Sequence, residues 1–161
     1  MTTRRSNDPI AAGARHAKAQ RRVGQDARCA CGENRSQALI AGRERSICYE
    51  CDSRRLGKTT METHHIAGEA NSPITVEVPA NDHRAVLSEA QYEWPPSTLR
   101  NVDGSPLLRA AAALRSTVNF LELFTRWLTS ITELLERLDS WLRKDGSVWW
   151  IDSPFEDWRL K

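Results

Sequence analysis

Three histidines fall within a stretch of twenty residues: His64 and His65 side by side, and His83. Imidazole is the side chain that changes charge near neutrality, so it can act as base, acid or metal ligand. Two such rings can hold a divalent metal while a third stays free to take a proton from water. Phosphodiester hydrolysis needs that equipment: a metal to stabilise charge on the phosphate and leaving oxygen, and a neutral imidazole to activate water. The same residues admit a plainer use, closing a core or binding a second structural zinc. Glu62 lies two residues before His64, on the same face of a strand, where it can orient a ligand from behind or face solvent.

The four cysteines form a second cluster, Cys29-x-Cys31 and Cys48-x-x-Cys51, with 16 residues between the pairs. Zinc takes four soft ligands in a tetrahedron, and two short pairs on facing turns supply them. The competing reading is buried thiols or disulfides. A reducing cytoplasm favours metal, and a closed four-thiolate shell makes that zinc structural. A small module with few large apolar residues needs such a staple.

These clusters need elements to hold them. Ala38-Leu39-Ile40 and Ser46-Ile47 predict two short strands turning near Gly42. Residues 59–66 read as a strand ending at the paired histidines, and residues 67–73 as a turn. Ile74, Val76 and Val78 alternate with period two and share one face of a further strand. Asn81 or Asp82 can cap a helix running to about Glu93, where Trp94-Pro95-Pro96 stops it. The order strand, strand, helix brings the three imidazoles around one point.

Here the sequence resembles a family. The run METHHIAGEANSPITVEVPANDHRAVLSEAQYEWP is similar to the HNH, or ββα-metal, endonuclease motif, with paired histidines after a Glu and N-D-H-R entering a helix. The similarity covers about residues 48–96, including the Cys48-x-x-Cys51 pair. It implies that His64 and His83 hold a catalytic divalent metal (Mg²⁺, Mn²⁺, Ni²⁺ or Zn²⁺) and that His65 is the general base. It further implies DNA as substrate, with 5′-phosphate and 3′-hydroxyl products. The chain departs from the family in three places. A second cysteine pair is missing where Pro79 and Asp82 stand, so Cys29 and Cys31 complete the zinc site. The central Asn is displaced, leaving Asn71 or Thr75 to orient the loop. A third metal ligand is replaced by Leu87, with Gln91 one turn further along the same stripe.

After Ser105-Pro106, a cap followed by a first-turn proline, leucine recurs every seventh residue: Leu107, Leu114, Leu121, Leu128, Leu135 and Leu142. Ala110, Phe124, Ile131 and Leu138 fill the intermediate positions, while Phe120, Trp127, Leu134 and Trp141 widen the stripe. At about 1.5 Å per residue this seam runs about 54 Å, more than a small module can cover. A homodimer or a protein partner along residues 105–145 is expected, with packing on the chain's own module and tail as the alternative. Gly146 is a plausible stop, and Trp149, Trp150, Phe155 and Trp158 are too many aromatics for a free tail.

The formal charge of +2 hides an asymmetry: residues 1–58 hold thirteen Lys or Arg against six Asp or Glu, and residues 59–161 hold ten against fifteen. A basic front half points to an anionic partner. Arg43, Arg45, Arg54, Arg55, Lys58 and Arg84 are candidate DNA contacts, alternatively an ordinary solvated face. Residues 1–28, basic and with little to bury, read as a mobile arm. No membrane span and no secretory leader are expected, and the expected location is the cytoplasm. The expected architecture is α+β: the arm, a zinc-stapled ββα-metal module over 29–100, a long amphipathic helix within 101–147, and an aromatic tail over 148–161. Three functions compete: a metal-dependent endonuclease, a non-catalytic zinc-ribbon DNA-binding protein, and an assembly protein driven by the helix. His65 separates the first two, because a binding module has no use for a free imidazole beside a ligand.

Overall fold

A computed structural model describes residues 9–24, 26–41, 46–144, 146, 148–151 and 153–155. Arg43, Arg45, the turn near Gly42 and Trp158 lie outside the described residues. Helix α1 (Pro9–Val23) comes first, then a 3₁₀ turn (Ser36–Ala38) and the strands β1 (Leu39–Ile40) and β2 (Ile47–Cys48). Helix α2 (Tyr49–Arg55), β3 (Met61–His65) and β4 (Thr75–Pro79) follow. Next is one helical run: α3 (Ala80–Asp82), a π-helical segment (His83–Leu87) and α4 (Ser88–Tyr92). The short α5 (Pro96–Arg100) precedes α6 (Pro106–Leu142). The chain is thus mixed α and β, with two small two-stranded sheets and a long C-terminal helix.

Both sheets are antiparallel. β1 pairs with β2, Leu39 opposite Cys48. β3 pairs with β4 so that Glu62 faces Val78, His64 faces Val76 and His65 faces Thr75. Side chains alternate across a strand, so Glu62 and His64 share the inner face and His65 takes the other. Val78 is buried and Val76 packs beside it, but Ile74 lies outside the strand and is exposed. The period-two reading therefore overruns the strand by one residue at its start.

The structure divides into two compact units, residues 1–123 and 124–161. In the first, three small clusters replace a single large core. Val78, Val86, Leu87 and Leu123 form one, under β4 and the helical run. Cys29, Leu39 and Cys48 form another, with Val23 and Ala27 against it. Ala67, Trp94 and Ala112 form the third. Pro9–Val23 is helical, and Val23 and Ala27 are partly buried against the cysteine cluster. Their packing, with the Arg22 guanidinium donating to the carbonyls of Ser36 (3.4 Å) and Leu39 (3.2 Å), ties α1 to the cysteine-bearing segment.

The helical run does not use its expected side-chain cap. Asn81 instead exchanges two hydrogen bonds with Glu50 at the start of α2 (3.3 and 3.2 Å), and Asp82 accepts from Arg35 (2.7 Å). Tertiary partners have taken both candidate caps. At α6, Ser105 does cap: its hydroxyl accepts from the Leu108 amide at 3.5 Å. α6 meets the first unit through Ala112, Ser116, Phe120 and Leu123. The heptad leucines lie on a different face and stay exposed from Leu107 to Leu135.

In the second unit, α6 ends at Leu142 and the aromatic segment turns back on it. The Trp149 indole donates to Asp139 (2.8 Å), and the Arg143 guanidinium lies 4.2 Å over the Trp150 ring. Trp149 also meets Phe155 edge-on, 5.6 Å between centroids.

Candidate functional site

The cysteine cluster is built by two turns. Cys29 and Cys31 sit on a loop closed by the Gly32 amide donating to the Cys29 carbonyl (2.9 Å), with Gly32 at a φ of 102° that suits glycine. Cys48 ends β2 and begins α2, where its sulfur accepts from the Cys51 amide at 3.4 Å. All four sulfurs lie within 4.8 Å of one another, and Cys31 and Cys48 are 3.7 Å apart. A tetrahedron with zinc–sulfur bonds of about 2.3 Å has edges of about 3.8 Å. The donor set therefore fits a zinc ion, with the Cys31–Cys48 pair already at the tetrahedral edge and the cluster within about 1 Å of it. Burial opposes ionisation of the Cys29 thiol, but backbone amides and the neighbouring thiols bring it down to about 7. Burial and the same neighbours push Cys51 up. Four thiols this close cannot all ionise unless a cation shares their charge.

The histidines are arranged differently from one another. His64 is buried, at 3% exposure, and its ring meets His83 with centroids 5.1 Å apart and Phe120 at 5.7 Å, both edge-on. Burial, reinforced by His83 and His65, pushes the His64 pKa down to about 4, so the ring is neutral at pH 7. Gln91 Nε2 lies 3.2 Å from His64 Nε2 and donates to the His65 carbonyl at 3.2 Å. His83 Nδ1 donates to Glu62 Oε2 at 2.7 Å, and Arg84 holds the other carboxylate oxygen at 2.6 and 2.9 Å. Burial opposes Glu62 ionisation, but Arg84 and His83 keep the carboxyl below its usual range. With Nδ1 occupied, neutral His83 offers the Nε2 lone pair to a metal.

His65 is on the other face of β3 and makes no ring contact with His64 or His83 among the described residues. Alternation along β3 sends neighbouring side chains to opposite faces, and the ring contact seen is between His64 and His83. His65 is half-buried, and its Nδ1 meets the Ser72 carbonyl at 3.4 Å. A proton on Nδ1 directed at that carbonyl leaves Nε2 as the basic nitrogen. The loop between β3 and β4 thereby sets the tautomer through its backbone, which side-chain patterns do not reveal.

Asn71 turns elsewhere. Its amide donates to the Thr98 carbonyl (2.8 Å) and accepts from Asn101 (2.9 Å), tying the loop to α5. Asn101 caps α5 in the left-handed region, φ 38°, and also bonds Ser105 at both its amide and carbonyl. Thr75 pairs opposite His65 in the sheet. Leu87 is buried in the core and offers no ligand atom. Arg54 and Arg55 lie on α2, paired with Glu50 and Asp52, and Lys58 follows it. Among the described candidate DNA contacts, Arg84 alone touches the histidine cluster, through Glu62.

Arg35, a candidate for phosphate contact by its charge alone, is tied to two carboxylates. Its guanidinium bonds Glu33 (2.6 Å) in the cysteine loop and Asp82 (2.7 Å), the residue before His83. Glu33 is a local partner two residues away, but nothing near Arg35 in sequence points to Asp82, 47 residues on.

No protein-family model, curated protein or solved structure matches the chain.

Proposed function

We propose that the chain is a metal-dependent HNH-type endonuclease that hydrolyses DNA phosphodiester bonds. One observation carries the reading: a half-buried imidazole, His65, held at Nδ1 by a backbone carbonyl, adjoins a buried neutral His64 whose ring meets His83. When bound between His64 and His83, a divalent metal supplies charge stabilisation to the phosphate and the leaving oxygen. His65 Nε2 takes a proton from water, and the water oxygen bonds to phosphorus in line with the 3′-oxygen. The bond from phosphorus to that oxygen breaks, the leaving oxygen takes a proton from solvent, and the ends are 5′-phosphate and 3′-hydroxyl. Glu62 and Gln91 keep the two ligand rings oriented. The cysteine site serves as a structural zinc staple in a reducing cytoplasm.

A plasmid-nicking assay with added Mg²⁺, Mn²⁺, Ni²⁺ or Zn²⁺ tests this. Wild type should nick, and His65→Ala should be slower by about 10²–10⁴. Failure of metal-loaded wild type to cut any DNA form leaves the second reading, a non-catalytic zinc-ribbon DNA-binding protein. If His65→Ala cuts at the wild-type rate, His65 is not the base.

The same proposal assigns the exposed seam of α6 to a second copy of the chain. The seam repeats every seven residues and lies off the face that packs on the first unit, so it is self-complementary along its length. Among the described residues no helix is long and apolar enough to cross a membrane.

A further inference from the structure

We propose that a groove between α1 and the π-helical and α4 segments seats the sugar-phosphate backbone of DNA beside the histidine cluster. The proposal rests on the nuclease reading for the identity of the polyanion. The groove is open and holds about 410 Å³, and four cations line it: Arg15, Lys18, Arg22 and Arg84. Glu89 is the single carboxylate on its wall.

Positions 15, 18 and 22 recur on one face of α1, so a basic stripe is turned toward a module wall that itself carries Arg84. Like charges facing one concavity repel unless each is compensated. Arg15 is compensated by Glu89 and Glu93, and Arg84 by Glu62. Arg22 is fixed by two neutral carbonyls, not by a carboxylate. Lys18 has no ion-pair partner among the described residues. Two unneutralised cations one helical turn apart thus share a concavity that a phosphate can fill.

The link to the site is covalent and short. Arg84 lines the groove, follows His83 directly and bonds the carboxylate that holds the His83 ring. Its guanidinium also stacks 3.7 Å over Tyr49, so it is a fixed corner between groove and cluster. A strand whose scissile phosphate lies at the histidines can place a flanking phosphate against Lys18 and Arg22.

The test is binding, measured apart from cleavage. Full-length His65→Ala protein, zinc retained and no further metal added, is titrated into a short labelled duplex by fluorescence anisotropy across a salt series. Adding Lys18→Ala should weaken binding roughly fivefold and reduce the salt slope by about 1. Lys18→Arg should restore both. Arg21→Ala, a charge-matched change on the same helix outside the groove, should have a clearly smaller effect. Equal losses at positions 18 and 21 would mean diffuse surface charge and overturn the proposal, as would unchanged affinity in Lys18→Ala. Absence of any binding also overturns it, whereas the nuclease reading stands or falls on nicking alone.

Discussion

Glu62 engages two neighbours at once, with His83 on one oxygen and Arg84 on the other. A carboxylate so held fixes the His83 tautomer more firmly than a water could. His64 answers to a different force. Its depressed pKa means that the unfolded chain binds a proton more readily than the folded one. Folding stability in metal-free histidine sites is therefore full above about pH 6.5 and falls as pH drops toward about 4, levelling below that. Denaturant midpoints measured over that range should show the loss, and His64→Phe should flatten it. Asn71 behaves as a clamp between the loop and α5. Asn71→Ala should cost about 1–3 kcal/mol in stability, because buried partners lose their bonds. Nicking by the folded fraction should survive if the clamp is its whole role, and the rate per folded molecule checks this.

Among the elements, the heptad pattern located α6 and its seam, yet it did not reveal which face would meet the module. The leucines are conspicuous in sequence, whereas Ala112 and Ser116 are small and carry no signal. Small side chains allow close helix approach, and only the partner surface shows that they are needed. Leu123→Ala should destabilise the first unit by about 2–5 kcal/mol, since the side chain is 1% exposed. Leu128→Glu should leave that stability within about 0.5 kcal/mol but convert a dimer to monomer. Thermal denaturation and sedimentation velocity on the two variants separate these effects. The order β3, β4, helix was legible because alternation and an acidic-turn entry are local signals. The π-helical segment was not: an inserted residue within a helix depends on what the run packs against.

At the scale of the whole molecule, the apolar clusters of the first unit are small, and the four-cysteine group that could hold a metal adjoins one of them. A strong chelator should strip one zinc per chain and collapse the cooperative unfolding transition, followed by metal analysis and circular dichroism. Cys48→Ser should do the same without chelator. Cysteine spacing made this site readable directly, because chelation demands near neighbours in sequence. The long-range ties were hidden. Arg35 to Asp82 and Asn81 to Glu50 span 47 and 31 residues, and nothing local selects those partners. The contacts of α1 are equally non-local: Val23 packs on the cysteine cluster and Arg22 reaches the carbonyls of Ser36 and Leu39.

α6 keeps its two tasks on separate residues. Ala112, Ser116, Phe120 and Leu123 serve the fold, and Leu114, Leu121 and Leu128 face outward. Selection can therefore act on one set without disturbing the other. The outward leucines can be exchanged, changing the face the helix offers to solvent, while the packing of the cysteine- and histidine-bearing module is inherited unchanged.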